Sequence, residues 1–160
     1  MTLPSVSAGC YSVTAKARDE WGAVGESAAA DIMVGSGCPQ APYLMQPVTL
    51  PGVVQTENFD IGGQYVAYYD ADTGNNGGAY RPDQDVDIGG PVDEEYGYAV
   101  GWTEAGEWLE SAVDVVAGTY YIELRIASET TGGTVHLEFD NVDLTGPITF
   151  GPTGGWQTWA

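Results

Sequence analysis

The chain has 160 residues and a formal net charge of −19, because 23 acidic residues face 4 basic ones. A field of this sign repels phosphate backbones and anionic lipid surfaces, which argues against nucleic acid or a membrane as a partner. Glycines (23) and prolines (9) interrupt short runs of Val, Ile, Tyr and Thr, and no apolar run is long enough to span a membrane. This composition is typical of an all-β protein.

The first 34 residues read as a β-hairpin. Residues 10–17 alternate as a strand does, D-E-W-G-A at 19–23 is a turn, and 27–34 supplies the partner strand. Two strands cannot bury a core alone. The stretch A-G-C-Y-S-V-T-A-K-A-R-D at 8–19 resembles the end of a bacterial immunoglobulin-like or PKD-like domain. We therefore expect residues 1–34 to be the C-terminal fragment of such a domain, within a longer chain.

Export is expected although no signal peptide follows Met1, since the leader would lie outside a chain that begins inside a larger protein. Cys10 and Cys38 match no zinc or redox motif. Two interpretations stay open: two incidental thiols, or one disulfide that an exported protein would allow.

Residues 35–50 form a linker by composition, and a second domain begins at 51. A long acidic, glycine-rich stretch at 71–95 is typical of a functional or metal-bound loop. Many short strands at near-regular spacing predict a β-sandwich. The predicted strands are 53–59, 64–70, 98–102, 107–113, 118–127, 134–139 and 142–150.

Residues 96–110 read Y-G-Y-A-V-G-W-T-E-A-G-E-W-L-E and carry the clearest functional signal. Trp102 and Trp108 are six residues apart, which places both on one face of an extended strand unless a turn intervenes. Indoles among glycines and carboxylates are poor core material, whereas they suit a sugar ring. The segment G-G-W-Q-T-W at 154–159 adds two more indoles beside a turn.

From residue 51 onward the chain resembles carbohydrate-binding module family 6. Seven blocks carry the likeness in order, and any one of them alone would be weak. They are P-G-V-V-Q-T-E-N-F-D at 51–60, V-A-Y-Y-D at 66–70, N-N-G-G-A-Y-R at 75–81, D-V-D-I at 85–88, G-Y-A-V-G-W-T-E-A-G-E-W-L-E at 97–110, A-G-T-Y-Y-I-E-L-R-I-A-S at 117–128 and G-G-W-Q-T-W at 154–159.

The resemblance implies a non-catalytic jelly roll of the galactose-binding-like kind at 51–160, with its last strands missing. It implies a loop cleft in which Trp102 and Trp156 sandwich a sugar, and a second cleft with Trp108 and Glu138. Tyr80, in the third block N-N-G-G-A-Y-R, is counted with the binding residues. Modules of this family are usually attached to secreted polysaccharide hydrolases.

The resemblance also implies structural calcium, held partly by Gln55 and Glu57. Their i, i+2 spacing would put both on one strand face, although two solvated polar residues would look the same. Calcium prefers several oxygen ligands. The acidic loop offers a denser oxygen set, including Asp70, Asn76 and Asp85, so a second calcium is a hypothesis there; the alternative is a flexible acidic loop.

Several residues keep two interpretations. We expect Leu109 to face the core and Trp108 the open face, although the reverse fits nearly as well. Trp159 follows Trp156 at odd spacing and is expected in the core. Arg81 is expected to pair with loop acids rather than with sugar. His136, the sole histidine, is expected to be an exposed strand residue.

The sequence therefore predicts a non-catalytic module that targets a covalently linked hydrolase to xylan, β-glucan or agarose-type polysaccharide. The alternative is a calcium-stabilised structural or adhesive module of a secreted protein, which burial of the indoles would favour. A small glycosidase would need two convergent, desolvated carboxylates. Glu104, Glu107 and Glu110 are near the indoles, but nothing in the sequence marks any of them as desolvated.

Overall fold

The computed structural model describes residues 9–27, 30–34, 39–90 and 97–160. These fall into two compact units, Met1–Ala117 and Gly118–Ala160, and each is described here by itself. Cys38 lies outside the described residues, so a disulfide between Cys10 and Cys38 stays a prediction. No helix in the described part of the chain is long and apolar enough to cross a membrane.

The described residues form short strands in two-stranded sheets, so the all-β prediction is confirmed. A single 3₁₀ turn, η1, spans Thr56–Asn58. The strands of the first unit are β1 (Gly9–Val13), β2 (Lys16–Arg18), β3 (Val24–Glu26), β4 (Ala30–Val34), β5 (Val48–Leu50), β6 (Tyr68–Tyr69), β7 (Ile88–Gly89), β8 (Ala99–Val100), β9 (Trp108–Leu109) and β10 (Val113–Val115). Those of the second unit are β11 (Gly133–Val135), β12 (Glu138–Phe139), β13 (Val142–Asp143) and β14 (Ile148–Phe150).

The N-terminal hairpin forms as the alternation predicts. β1 pairs antiparallel with β4, and β2 with β3. The turn between β2 and β3 is held by Asp19, whose Oδ1 accepts the N–H groups of Trp21 (3.0 Å) and Ala23 (2.8 Å). Such an Asx turn satisfies two backbone donors that would otherwise compete for water.

The core of the first unit lies beneath the pairs β6–β9 and β7–β8, which are both antiparallel. Phe59, Ala67, Tyr68, Val86 and Ile88 are buried there, and Tyr98, Val100 and Leu109 pack against them. β7 lies within the stretch predicted as a loop. Ile88 of β7 and Val86, two residues before it, are both buried, as alternate residues on one face of a strand are.

Residues 41–50, within the predicted linker, attach to the first unit. Ala41 bridges to Ile61 through two backbone hydrogen bonds of 3.0 and 2.8 Å. β5 pairs in parallel with β10. The Pro-rich composition that indicated a linker also suits a segment that joins a sheet only at its edge.

Two predicted strands are wrong. Residues 53–59 form extended chain followed by η1 instead of a strand, because Phe59 turns inward to the core and the chain must bend there. Residues 118–127 form no strand; their only ladder contact is the bridge between Ala127 and Trp159. Clean alternation does not make a strand where no partner strand runs alongside.

The second unit packs more loosely than the first. Its apolar side chains line a cavity of about 530 Å³ instead of forming a buried cluster. Trp159 is half-buried at the edge of this cavity, under the guanidinium of Arg125 at 4.4 Å from the ring centroid. The expectation that Trp159 is a core residue is met only in this partial form.

The fully buried Ile88 gives a test of the core. Ile88→Ala should lower the free energy of unfolding by about 2–5 kcal/mol, because it removes buried methyl groups and leaves a cavity. Urea denaturation followed by tryptophan fluorescence measures this. Val24→Thr, at an exposed position of β3, should stay within about 0.5 kcal/mol. Equal losses in the two variants would contradict the assignment of the core.

Candidate functional site

Trp102 is presented on a turn that is fixed on both sides. Its side chain is 60% exposed and its backbone has a positive φ of 52°, a region that L-residues rarely adopt. Before it, the Gly101 N–H donates to the Asp87 carbonyl (2.9 Å). After it, the Glu104 N–H donates to Oε2 of Glu107 (2.8 Å). The indole is therefore held outward at a defined place instead of moving freely.

Glycine permits the indole to lie close to β7. A Cβ placed on Gly89 would meet the Trp102 ring at 3.2 Å, and one on Gly90 would meet the Tyr98 ring at 2.8 Å. Gly90 also has a φ of 154°, which favours glycine. Gly89 and Gly90 thus leave room for the rings of Trp102 and Tyr98 to lie against the backbone.

Next to these glycines, Tyr80 forms an aromatic row with Tyr98 and Tyr43. The Tyr80 and Tyr98 rings stack at 4.7 Å, and Tyr43 meets Tyr80 edge-on at 5.9 Å. The Tyr80 hydroxyl donates to Oδ1 of Asn58 (2.6 Å). Burial raises the pKa of Tyr80 to about 12, with a contribution from Tyr43, so its hydroxyl keeps its proton at neutral pH.

Arg81 lies beneath the aromatic row and does not reach solvent. Its guanidinium lies over the rings of Phe59 (3.5 Å) and Tyr43 (4.3 Å). Burial lowers its pKa to about 10, so it stays charged at neutral pH. Its hydrogen-bond acceptors are the carbonyls of Glu57, Phe59 and Asp60 and the side-chain amide of Gln84.

The structural role expected for Arg81 is present, and within the described residues its hydrogen bonds go to carbonyl and amide oxygens instead of to loop carboxylates. Its Nε is buried with no hydrogen-bond partner among these residues, whereas the carbonyl oxygens bind its two terminal nitrogens without the desolvation of a second charge.

A second aromatic surface lies on the outer face of β6–β9. Leu109 packs inward and Trp108 is 37% exposed, as the favoured interpretation expected. Tyr69 lies opposite Trp108 in the register, so their side chains share one face. Tyr65, 72% exposed with a φ of 63°, extends this face, with its ring 5.2 Å from that of Tyr69.

In the second unit, Trp156 lies on a turn attached to a buried serine. Its indole is 62% exposed. Ser128 is buried, and its carbonyl accepts the N–H groups of Thr153 (2.7 Å) and Gly154 (3.2 Å). The Thr158 N–H then donates to the Gly155 carbonyl (3.1 Å) and closes the turn around Trp156. Trp102 and Trp156 belong to different units, and each indole faces solvent in its own unit.

Glu138 lies on β12, where its carboxylate is exposed and its Oε1 is 3.1 Å from Nε2 of His136. His136 is exposed, as expected, although it lies between β11 and β12 instead of within a strand. Trp108 belongs to the other unit, so the second cleft predicted from Trp108 and Glu138 stays a prediction.

The described part of the acidic loop is held by hydrogen bonds among its own residues. Asp87 is buried and accepts from the Asn76 N–H and from its side-chain amide (3.1 Å). Asn76 also donates to Oδ2 of Asp72 (2.9 Å), and Oδ1 of Asp85 accepts the Gly74 N–H (2.9 Å). Burial, with smaller effects from neighbouring carboxylates, raises the pKa of Asp70. The loop is therefore a hydrogen-bonded structure instead of a simple run of solvated charges.

Gln55 and Glu57 do not share a strand face, because the segment is a 3₁₀ turn instead of a strand. Gln55 precedes η1 and lines a cavity of about 230 Å³, whereas Glu57 is buried within the turn. Across residues 9–27, 30–34, 39–90 and 97–160, no three His, Cys, Asp or Glu side chains are grouped as a metal site would need. A calcium ion would need amide and carbonyl oxygens as well.

The carboxylates near the indoles do not form a hydrolytic pair. Both oxygens of Glu107 accept backbone N–H groups, from Ala71 (3.1 Å) and from Glu104 (2.8 Å). Glu104 is exposed and Glu110 half-buried. A general acid needs a desolvated carboxyl group with a raised pKa, and a second carboxyl group must face it across a cleft. Burial raises the pKa of Asp70 and of Glu57, and the carboxylate of Glu107 contributes to the rise at Asp70.

Sequence reasoning missed the aromatic partners of the binding candidates. Tyr43 lies in the predicted linker and Tyr65 in a predicted strand, whereas Tyr69 and Tyr98 lie in blocks of the family resemblance but were given no binding role. One signal was available: V-A-Y-Y places two tyrosines on opposite strand faces, so one of them had to point outward beside Trp108.

The described residues form an all-β fold that presents exposed indoles on turns held by hydrogen bonds, as a binding module would. The comparison with protein families agrees: residues 83–160 match a family described as carbohydrate binding module (family 35). The match supports a carbohydrate-binding module, and it does not extend to family 6, which the sequence blocks resembled. No curated protein matches the chain.

The buried Glu57 gives a pH-dependent test. Burial raises its pKa above the ordinary value of 4.5, so the folded form holds the proton more tightly than the unfolded form does. When a chelator is present, protonated Glu57 contributes fully to the stability of the fold below pH 4.5. This contribution is lost as the pH rises through the pKa that Glu57 has in the folded protein. Glu57→Gln cannot ionise, so it should melt higher than the wild type at pH 7 and equally at pH 4. Identical pH profiles from thermal melting would contradict this.

Proposed function

We propose that this protein binds a neutral polysaccharide of the xylan, β-glucan or agarose type through Trp102 and Trp156. The observation that carries the proposal is the exposure of both indoles, 60% and 62%, on turns fixed by backbone hydrogen bonds. Large apolar rings exposed in this way lose little entropy on binding, because their positions are already set. A structural or adhesive module would instead have buried them.

The charge of the protein supports a neutral ligand. A net charge of −19 disfavours polyuronates and sulfated chains. Arg81 adjoins the Trp102 surface but is buried and bonded to carbonyl oxygens, so it is not available to pair with a ligand's carboxylate. Recognition then depends on ring stacking and on neutral hydrogen-bonding groups.

Binding surfaces are proposed on each unit by itself. On the first unit, Trp102 stacks on the sugar and Tyr80 borders it with its neighbours Tyr98 and Tyr43, while Trp108 binds on the outer face of β6–β9, where the exposed ring of Tyr65 and the half-buried ring of Tyr69 continue its surface. On the second unit, Trp156 and Glu138 are the proposed binding residues. Two sites on one module would raise the apparent affinity for a long polymer above that for a short oligosaccharide.

The proposal includes a role for the module in a longer protein. A covalently linked polysaccharide hydrolase, secreted from the cell, would gain local substrate concentration from a tether to the polymer. The resemblance to modules of such enzymes supports this role, and the match of residues 83–160 supports the carbohydrate binding on which the role depends.

Calcium is proposed as a structural cofactor at two places. Gln55 and Glu57 would contribute beside η1, and Asp70, Asn76 and Asp85 would contribute in the acidic loop. The buried carboxylate of Glu57 supports the first place, because a cation would offset the cost of its ionisation. The raised pKa of Asp70 supports the second for the same reason.

Binding is tested by affinity electrophoresis in gels that contain xylan, β-1,3-glucan or agarose. Trp102→Ala and Trp156→Ala should each weaken binding about five- to tenfold, because one ring stacked on a sugar is worth on the order of 1 kcal/mol. The matched control is Trp21→Ala, which removes an indole 84% exposed on the β2–β3 turn. Binding that survives both first variants, or that falls equally in the control, would refute the proposal.

Calcium binding is tested by thermal melting in a calcium titration and in EDTA. Calcium should raise the melting temperature of the wild type, since a ligand that binds only the folded state stabilises it. Glu57→Gln should lose part of this rise, as should Asp85→Asn. Glu129→Gln, an exposed glutamate of the second unit, should keep the full rise. No shift in the wild type would reject both calcium sites.

A further inference from the structure

Glu107 connects two segments that are distant in the sequence. Its Oε2 accepts the Glu104 N–H (2.8 Å) inside the turn that follows Trp102. Its Oε1 accepts the Ala71 N–H (3.1 Å), at the start of the acidic loop. One carboxylate therefore closes the turn and attaches it to a segment 36 residues away. Charge-assisted hydrogen bonds of this kind are stronger than neutral ones.

Trp102 needs this support because its backbone conformation is costly. A φ of 52° is unfavourable for a residue with a large side chain, and it persists only where the surroundings enforce it. On the N-terminal side, the Gly101–Asp87 hydrogen bond enforces it. On the C-terminal side, the first described hydrogen bond is that from Glu104 to Glu107. Without it, the turn would be closed only by the long hydrogen bond from the Glu107 N–H to the Glu104 carbonyl (3.4 Å).

We propose that Glu107 is the positioning residue for Trp102: it holds the indole ready for sugar and couples the acidic loop, through Ala71, to binding. This inference rests on the proposed function of Trp102. Glu107 acts through the turn and does not itself contact the sugar. Ala71 lies between Asp70 and Asp72 of the acidic loop. A change in the arrangement of this loop therefore reaches Trp102 through the bond from Ala71 to Glu107 and influences binding.

The chain offers a matched control in the same turn. Glu104 has the same side chain, is exposed, and its carboxylate has no hydrogen bond within the described part of the chain. Glu104→Ala removes one negative charge beside Trp102 but keeps the backbone N–H that donates to Glu107. A purely electrostatic role of Glu107 would therefore appear in the control as well.

The experiment measures dissociation constants of xylohexaose, laminarihexaose and agarohexaose by calorimetry for six proteins. These are the wild type, Trp102→Ala, Glu107→Ala, Glu107→Gln, Glu104→Ala and the double variant Trp102→Ala/Glu107→Ala. We expect Glu107→Ala to weaken binding nearly as much as Trp102→Ala, about five- to tenfold. Glu107→Gln retains one acceptor oxygen and should lose less. The double variant should lose no more than Trp102→Ala alone, because the two residues act through one contact.

The outcomes separate this inference from the proposed function. If none of the hexasaccharides binds the wild type, the proposed function and the inference both fall. If Trp102→Ala has no effect, the inference falls, and the proposed function then rests on Trp156. If Trp102→Ala weakens binding while Glu107→Ala matches the Glu104→Ala control, only the positioning role falls. Additive losses in the double variant would show that Glu107 contacts the ligand directly and would overturn the inference. Should Glu107→Ala fail to fold, Glu107→Gln decides: binding equal to the wild type overturns the inference, and a partial loss absent from Glu104→Ala supports it.

Discussion

The buried guanidinium of Arg81 is the interaction on which the first unit depends. It is bonded to the carbonyls of η1 and of the chain just after it, and it lies between the rings of Tyr43 and Phe59. It thereby joins the segment before β5, the 3₁₀ turn and the acidic loop. A buried charge with several acceptors specifies one arrangement, since any other leaves it unpaired. The aromatic row of Tyr43, Tyr80 and Tyr98 forms directly above this point.

The two exposed indoles of the proposed site are held by the same device in separate units. Each lies on a short turn whose flanking backbone is bonded to a fixed group: Asp87 and Glu107 for Trp102, and Ser128 for Trp156. Both indoles are mostly exposed, so the turn largely determines where each ring points, and the Trp102 ring also lies close to Gly89. For a binding module this is an advantage, because the entropy of ordering the ring is lost on folding instead of on binding.

The sequence predicted features that depend on local pattern and missed those that depend on distant contacts. Alternation correctly placed Leu109 inward and Trp108 outward, and turn chemistry located the hairpin around Trp21. Alternation failed at 118–127, where no partner strand follows, and at 53–59, where the core draws Phe59 inward. The carbonyl partners of Arg81 and the double hydrogen bond of Glu107 join segments more than twenty residues apart, and no spacing rule reports such contacts.

Three aromatic residues of the proposed sites, Tyr65, Tyr80 and Trp102, share left-handed backbone dihedrals. At the mostly exposed Tyr65 and Trp102, glycine would relieve a backbone cost of roughly 1 kcal/mol or more, whereas at Tyr80 it would also remove a stacked ring and the hydrogen bond to Asn58. Each replacement would remove a ring from a surface that is proposed to bind sugar. Selection for heat resistance alone would therefore be expected to erode affinity in this fold, and a trade-off between durability and recognition is built into its main chain.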